Sequence, residues 1–163
     1  MWSFRFFGFI ATALTLAGCG FALRGAYELP YRNVFVEAPD TSQVAKSLRR
    51  ELAQGPAKLA KLATEADAQL LIKNERRDRQ ILSLSGAGRV REYTLRMQVS
   101  YQLVDRAGAV IIPTTEIQLS RIFAYDDARV IAKQQEENML FVDMERDAMG
   151  QILRRMTAIR RPS

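Results

Sequence analysis

The side chains that could carry chemistry in these 163 residues are few: there is no histidine and only one cysteine, Cys19. Without histidine there is no Ser-His-Asp triad, no Cys-His nucleophile pair and no His-ligated zinc or haem. A single cysteine excludes an internal disulfide, a thiolate zinc cluster and an iron–sulfur site. Paired carboxylates occur at Asp126-Asp127 and Glu136-Glu137. Neighbours on a helix point about 100° apart, so neither pair converges on a substrate. The first pair reads as a helix cap that also complements the helix dipole. The residues therefore give no catalytic group, no metal site and no cofactor site. What remains is positive charge. Lys plus Arg number 24 against 18 Asp plus Glu, a net charge of +6, which suits an anionic partner. Arg76, Arg77 and Arg79 precede a Gly-rich tract, Ser83 to Arg89, and Arg89, Arg91 and Arg96 follow or close it. The tract lacks a P-loop lysine and a GxGxxG pattern and reads as a hairpin turn. Guanidinium forks beside it suit phosphate oxygens.

The compartment follows from the first residues. Arg5 precedes an apolar run from Phe6 to Ala17, closed by Leu16-Ala17-Gly18-Cys19. That is the order of a cleaved secretory signal over residues 1–18. A membrane span needs about 20 predominantly apolar residues. The uncharged run from Phe6 to Leu23 has 18 and contains Gly8, Thr12, Thr15, Gly18 and Gly20, so a span is the poorer reading. Leu-Ala-Gly-Cys also resembles the bacterial lipobox, whose cysteine is acylated after cleavage. The expected modification of Cys19 is an N-acyl chain plus S-diacylglycerol. Each buried methylene adds about 0.8 kcal/mol and two chains already anchor stably. Gly20 stands where an aspartate would favour inner-membrane retention, so the expected address is the outer membrane. Removing 18 residues from 163 leaves 145, and loss of Arg5 lowers the charge to +5. Export makes nucleic acid an unsuitable partner and leaves anionic lipid or glycolipid headgroups.

The elements that position these groups read as α+β, in one domain over residues 19–163. The hydrophobic share of 48% is enough for a core and the charged share of 26% is that of an ordinary globule. Asn33 to Ala38 is a short strand stopped by Pro39. A helix capped by Asp40, Thr41 or Ser42 follows to Gln54, with Val44, Leu48 and Leu52 on one face and Gly55-Pro56 as its stop. Gln69 to Leu84 is a second strand, whose polar middle, Lys73 to Arg79, calls for an edge-like or solvated setting. Tyr93 to Leu103 alternates apolar and polar over eleven residues, the pattern of a strand with one buried face. Asp105 to Gly108 turns into a fourth strand, Val110 to Tyr125, with Pro113 suited to an edge. A last helix, capped by Asp126 or Asp127, runs to about Ile159. Its second half is amphipathic through Phe141, Val142, Ala148, Met149, Ile152 and Met156, while its polar turns from Lys133 to Asn138 would project past the sheet. The expected architecture is two helices on one face of a four-stranded, mostly antiparallel sheet, with the polar face open.

Several segments resemble the LPS-assembly lipoprotein family LptE, in order and spacing. They are Cys19-Gly20-Phe21-Ala22-Leu23-Arg24-Gly25, Arg91-Glu92-Tyr93, Arg121-Ile122-Phe123-Ala124-Tyr125-Asp126, Ala132-Lys133 with the acidic stretch to Asn138, and Asp143-Met144 through Gln151-Ile152-Leu153-Arg154-Arg155-Met156. Ala22 departs from the histidine of many relatives, which weakens any role for that position. The resemblance spans essentially all of residues 19–163. It implies two helices packed on a four-stranded sheet, and an outer-membrane lipoprotein that plugs the LptD β-barrel, helps it assemble and binds lipopolysaccharide during delivery to the cell surface. Lys133 matches a basic position of the family's last helix, and Arg89 and Arg91 flank its exposed strand-connecting loop. The resemblance thus implies Arg89, Arg91 and Lys133 as contacts to lipopolysaccharide phosphates. The alternatives are a lipoprotein that scaffolds another outer-membrane complex and an envelope hydrolase that works with carboxylates alone.

Overall fold

The computed structural model describes residues 27–159. The expected signal, the acylation site Cys19 and Ala22 lie outside the described residues. The elements in chain order are β1 (Asn33–Glu37), α1 (Gln43–Gln54), β2 (Lys58–Leu59), β3 (Ala68–Leu84), β4 (Val90–Asp105), β5 (Val110–Ala124) and α2 (Val130–Thr157), with short 3-10 turns at Ala63–Glu65 and Asp127–Arg129.

The alternating strand sets the frame. Leu95, Met97, Val99, Tyr101 and Leu103 of β4 are buried, and Thr94, Arg96, Gln98, Ser100 and Gln102 between them keep contact with solvent. Full burial of each large apolar side chain contributes about 1.5–3 kcal/mol, so β4 fixes which face of the sheet is closed. Strand β3 lies antiparallel on one side of β4 and β5 antiparallel on the other. Strand β1 joins the far side of β3 in parallel, pairing Val34 with Ala68 and Glu37 with Leu71. Both helices cover the closed face. Val44, Ala45, Leu48 and Leu52 of α1, and Met144, Ala148, Ile152, Leu153 and Met156 of α2, share one core with the strands. The α+β class and the two-helix layer agree with the sequence reading.

The sheet has five strands rather than four, in the order β2-β1-β3-β4-β5. The extra one is Lys58–Leu59, which adds in parallel to β1 just after the Gly55-Pro56 stop. Two residues leave no periodic signal. Pro113 lies on the edge strand β5, where its missing N–H costs no ladder bond. Strand β3 is central only up to Leu71, the last residue paired with β1; from Lys73 onward one side of it is a free edge. That is how its polar middle is accommodated.

Two expectations about the last helix are corrected. Asp126 caps the 3-10 turn, accepting from the Ala128 N–H at 3.0 Å, and α2 itself starts at Val130 with no side-chain cap. The polar turns do not project past the sheet. Glu137 reaches Arg79 on β3, and Lys133 lies over the Phe123 ring on β5. Val142, expected on the apolar face, is 49% exposed, and the buried stripe begins at Met144.

Candidate functional site

One extra residue in β3 decides which charges face the helices. The register slips between Ile72 and Asn74, so Lys73 forms a bulge. Before it, Ala68, Leu70 and Ile72 point into the core. After it, Glu75 lies opposite Val99, Arg77 opposite Met97 and Arg79 opposite Leu95. A bulge shifts the side-chain alternation by one. Three charged residues are thereby turned toward the helix layer.

They are paired there. The Glu75 carboxylate accepts from the Ser42 hydroxyl at 2.7 Å and from the Val44 N–H at 3.1 Å, so β3 supplies a second cap to α1. Ser42 in turn accepts from the Ala45 N–H at 3.0 Å. Arg77 donates to Glu75 and to Glu145 of α2, both at 2.8 Å, and its guanidinium lies 5.7 Å from the Phe141 ring centroid. Burial pushes the Glu145 carboxyl above the usual carboxylate range; Arg77 opposes that rise and Glu75 adds to it. These charges tie α1, β3 and α2 together.

Farther along the hairpin the closed face becomes aromatic. Tyr93 and Phe123 stack with centroids 6.5 Å apart, and Tyr125 meets Tyr93 edge-on at 5.2 Å. Arg79 lies 4.5 Å above the Tyr93 ring and donates to Glu137 at 2.8 Å. Lys133 lies 5.3 Å above Phe123 and donates to Glu136 at 2.8 Å. Cations held over ring faces in this way gain electrostatic attraction. Glu136 and Glu137 thus pair with separate cations.

The turn beyond closes on itself. The Ser85 N–H donates to the Arg89 carbonyl at 2.7 Å, and the Arg89 N–H to the Ser85 hydroxyl at 3.1 Å. Gly88 adopts φ +75°, a conformation that favours glycine. The Gly-rich tract is therefore the hairpin turn that the sequence suggests. Arg89 and Arg91 project from its base, both exposed. Neither side chain makes a hydrogen bond or ion pair among the described residues. The Arg91 carbonyl accepts from the Tyr125 N–H at 2.8 Å, one rung beyond Glu92 and Ala124 and two beyond Tyr93 and Phe123.

The three residues singled out in the sequence thus come to one end of the sheet in different states. Arg89 and Arg91 are exposed, with no side-chain partner among the described residues. Lys133 is engaged, with 19% of its side chain exposed. Arg79, one of the arginines that precede the turn in the sequence, shares the aromatic cluster with Lys133, a placement the residue types did not indicate. Only the bulge at Lys73 points it there, and no pattern of residue types announces a bulge. Among the described residues no group of His, Cys, Asp or Glu converges to hold a metal ion. No described helix is long and apolar enough to cross a membrane.

Comparison with known proteins adds an independent line. The family model LptE, lipopolysaccharide-assembly, matches residues 31–156. An LPS-assembly lipoprotein LptE of Pectobacterium atrosepticum is 25% identical over 150 residues, which is 90% of this chain and 80% of that relative. The solution structure of lipoprotein B from Nitrosomonas europaea superimposes with a TM-score of 0.74 at 39% identity, over 85% of this chain and 91% of that one. The crystal structure of rare lipoprotein B from Shewanella oneidensis, at 22% identity, shares the fold with a TM-score of 0.67 over 77% of this chain and 94% of that one.

Proposed function

The chain belongs to the lipopolysaccharide-assembly family LptE, and from that premise we propose that it is an outer-membrane lipoprotein, anchored through acylated Cys19, that plugs and helps assemble the LptD β-barrel and binds lipopolysaccharide on its way to the outer leaflet. The observation that carries the ligand role is the pair of exposed guanidiniums of Arg89 and Arg91 at the hairpin base, without a partner among the described residues. A free guanidinium presents a planar fork to phosphate oxygens and gives up no existing partner to do so. Lys133 differs. It contributes positive potential from beside Glu136 and Phe123, and reaches a phosphate by exchanging Glu136 for it. The cations compete with the divalent ions that crosslink neighbouring lipopolysaccharide molecules. The open sheet face supports the plug role. Its Thr94, Gln98, Ser100, Gln102 and Gln118 are neutral hydrogen-bonding groups suited to a hydrated lumen.

The test uses the mature chain with Cys19→Ala, exported by a signal that does not require acylation. Replacing Arg89, Arg91 and Lys133 together by Gln should lower lipopolysaccharide affinity at least tenfold in titration, with an unchanged circular dichroism spectrum. Unchanged affinity sinks the ligand assignment. The same unlipidated chain should still co-purify with the barrel. Capture of a different outer-membrane complex instead favours the scaffold alternative.

A further inference from the structure

Past Gln80 the hairpin turns apolar and yet remains in water. Ile81, Leu82 and Leu84 are 58%, 49% and 55% exposed. Ile81 sits on the rung of Tyr93, Leu84 on that of Val90, and Leu82 on a second bulge between the Ile81 and Ser83 rungs. One strand over, Ile122 is 66% exposed on the opposite face, on the rung of Gln80 and Thr94. Large aliphatic side chains grouped in solvent mark an interaction site. The charge around them is mostly basic. Glu92, on the Ser83 rung, accepts from the Ser83 hydroxyl at 2.7 Å, whereas the guanidiniums of Arg89 and Arg91 are exposed and have no partner among the described residues. Hydrocarbon bordered by free guanidiniums complements an amphiphile with an anionic head. The apolar side chains also wrap the hairpin on both faces instead of forming one flat patch. That arrangement fits flexible chains better than the rigid surface of a folded partner.

We propose that this hairpin is the hydrocarbon half of the ligand site: Ile81, Leu82 and Leu84 take up acyl chains of the same phosphorylated glycolipid whose phosphates meet Arg89 and Arg91. The proposal rests on the ligand reading above and adds to it a second recognition element. Specificity then requires both ends of the ligand. Phosphates without acyl chains, and acyl chains on an ordinary phospholipid, each satisfy half of the site.

The experiment compares the mature Cys19→Ala chain with the same chain carrying Leu82→Ser and Leu84→Ser. The probes are intact lipopolysaccharide, its fully deacylated phosphorylated oligosaccharide, and phosphatidylglycerol vesicles. The parent should bind intact lipopolysaccharide at least tenfold more tightly than either other probe. The double variant should lose that margin while keeping the parent's affinity for the oligosaccharide. Because both positions are exposed, its thermal midpoint should stay close to the parent's, and Leu84→Gln alone provides a milder version. Equal affinity of variant and parent for intact lipopolysaccharide overturns the proposal and leaves the phosphate reading standing. Equal binding of vesicles and lipopolysaccharide by the parent overturns the glycolipid assignment. A parent that binds neither lipopolysaccharide nor its oligosaccharide removes the underlying reading itself.

Discussion

The two ends of β3 are built on opposite principles. From Ala68 to Leu71 it is flanked by β1 and β4, and up to Ile72 it sends small and aliphatic side chains into a core covered by both helices. From Glu75 to Leu84 it has one sheet neighbour; its charges Arg77 and Arg79 pair with Glu145 and Glu137 of α2, and Arg79 lies over the Tyr93 ring of β4. The first end is held by area removed from water. The second is held by partners that must be present in the right place. A surface of the second kind can exchange partners, which a packed core cannot do without a cavity. The groups proposed to face the ligand lie at that second end.

The contrast can be broken by substitution. Leu70 is fully buried and Ile81 is 58% exposed. Leu70→Ala should cost about 2–5 kcal/mol, and Ile81→Ala about 0.5 kcal/mol or less, as read by chemical denaturation. Comparable losses at the two sites would mean that the ends are not built differently. Arg77→Ala comes next. Removing one partner of a fully buried ion pair costs about 3–5 kcal/mol, and Arg77 retains 30% side-chain exposure, so about 2 kcal/mol is expected. The loss should come mainly from freeing Glu145, and Arg77→Ala combined with Glu145→Gln should recover part of it.

The smallest effect concerns pH. Burial raises the Glu145 carboxyl, so the folded chain holds that proton more tightly than the unfolded one. The stability this contributes is fully present below about pH 4, under the ordinary glutamate value, and is lost as pH rises through the raised folded value. Glu145→Gln does not titrate. The thermal midpoint of the parent relative to this variant should therefore fall as pH is raised from about 4 toward neutrality. A rise instead would mean that attraction to Arg77 outweighs the cost of burial.

Much of this was legible in the residues. The alternation from Tyr93 to Leu103 gave β4 and its buried face, and Gly55 with one of Asp40, Thr41 or Ser42 bracketed α1, the structure selecting Ser42. The edge character of Lys73 to Arg79 was readable because a run of charges cannot be central on both sides. Three things were not readable. Lys58–Leu59 is too short to show a period. The bulge at Lys73 obeys no composition rule, so strict alternation cannot assign Arg77 and Arg79 to the helix side. The pairing of Glu137 with Arg79 follows from that bulge as well, whereas Glu136 meets Lys133 within the same helix. The candidate site was therefore legible as a cluster of basic residues around a turn, but not as a division between free arginines and a lysine already engaged.

The cap that Glu75 supplies to α1 has a consequence for how the chain folds. Ser42 closes the first turn of that helix from three residues away, a contact available as soon as the helix begins. Glu75 reaches the Val44 N–H from 31 positions downstream. The helix start is therefore completed only after the intervening loop has closed and β3 has docked, because loop closure must precede any non-local contact. Early in folding α1 has a single cap, and the second forms together with the sheet.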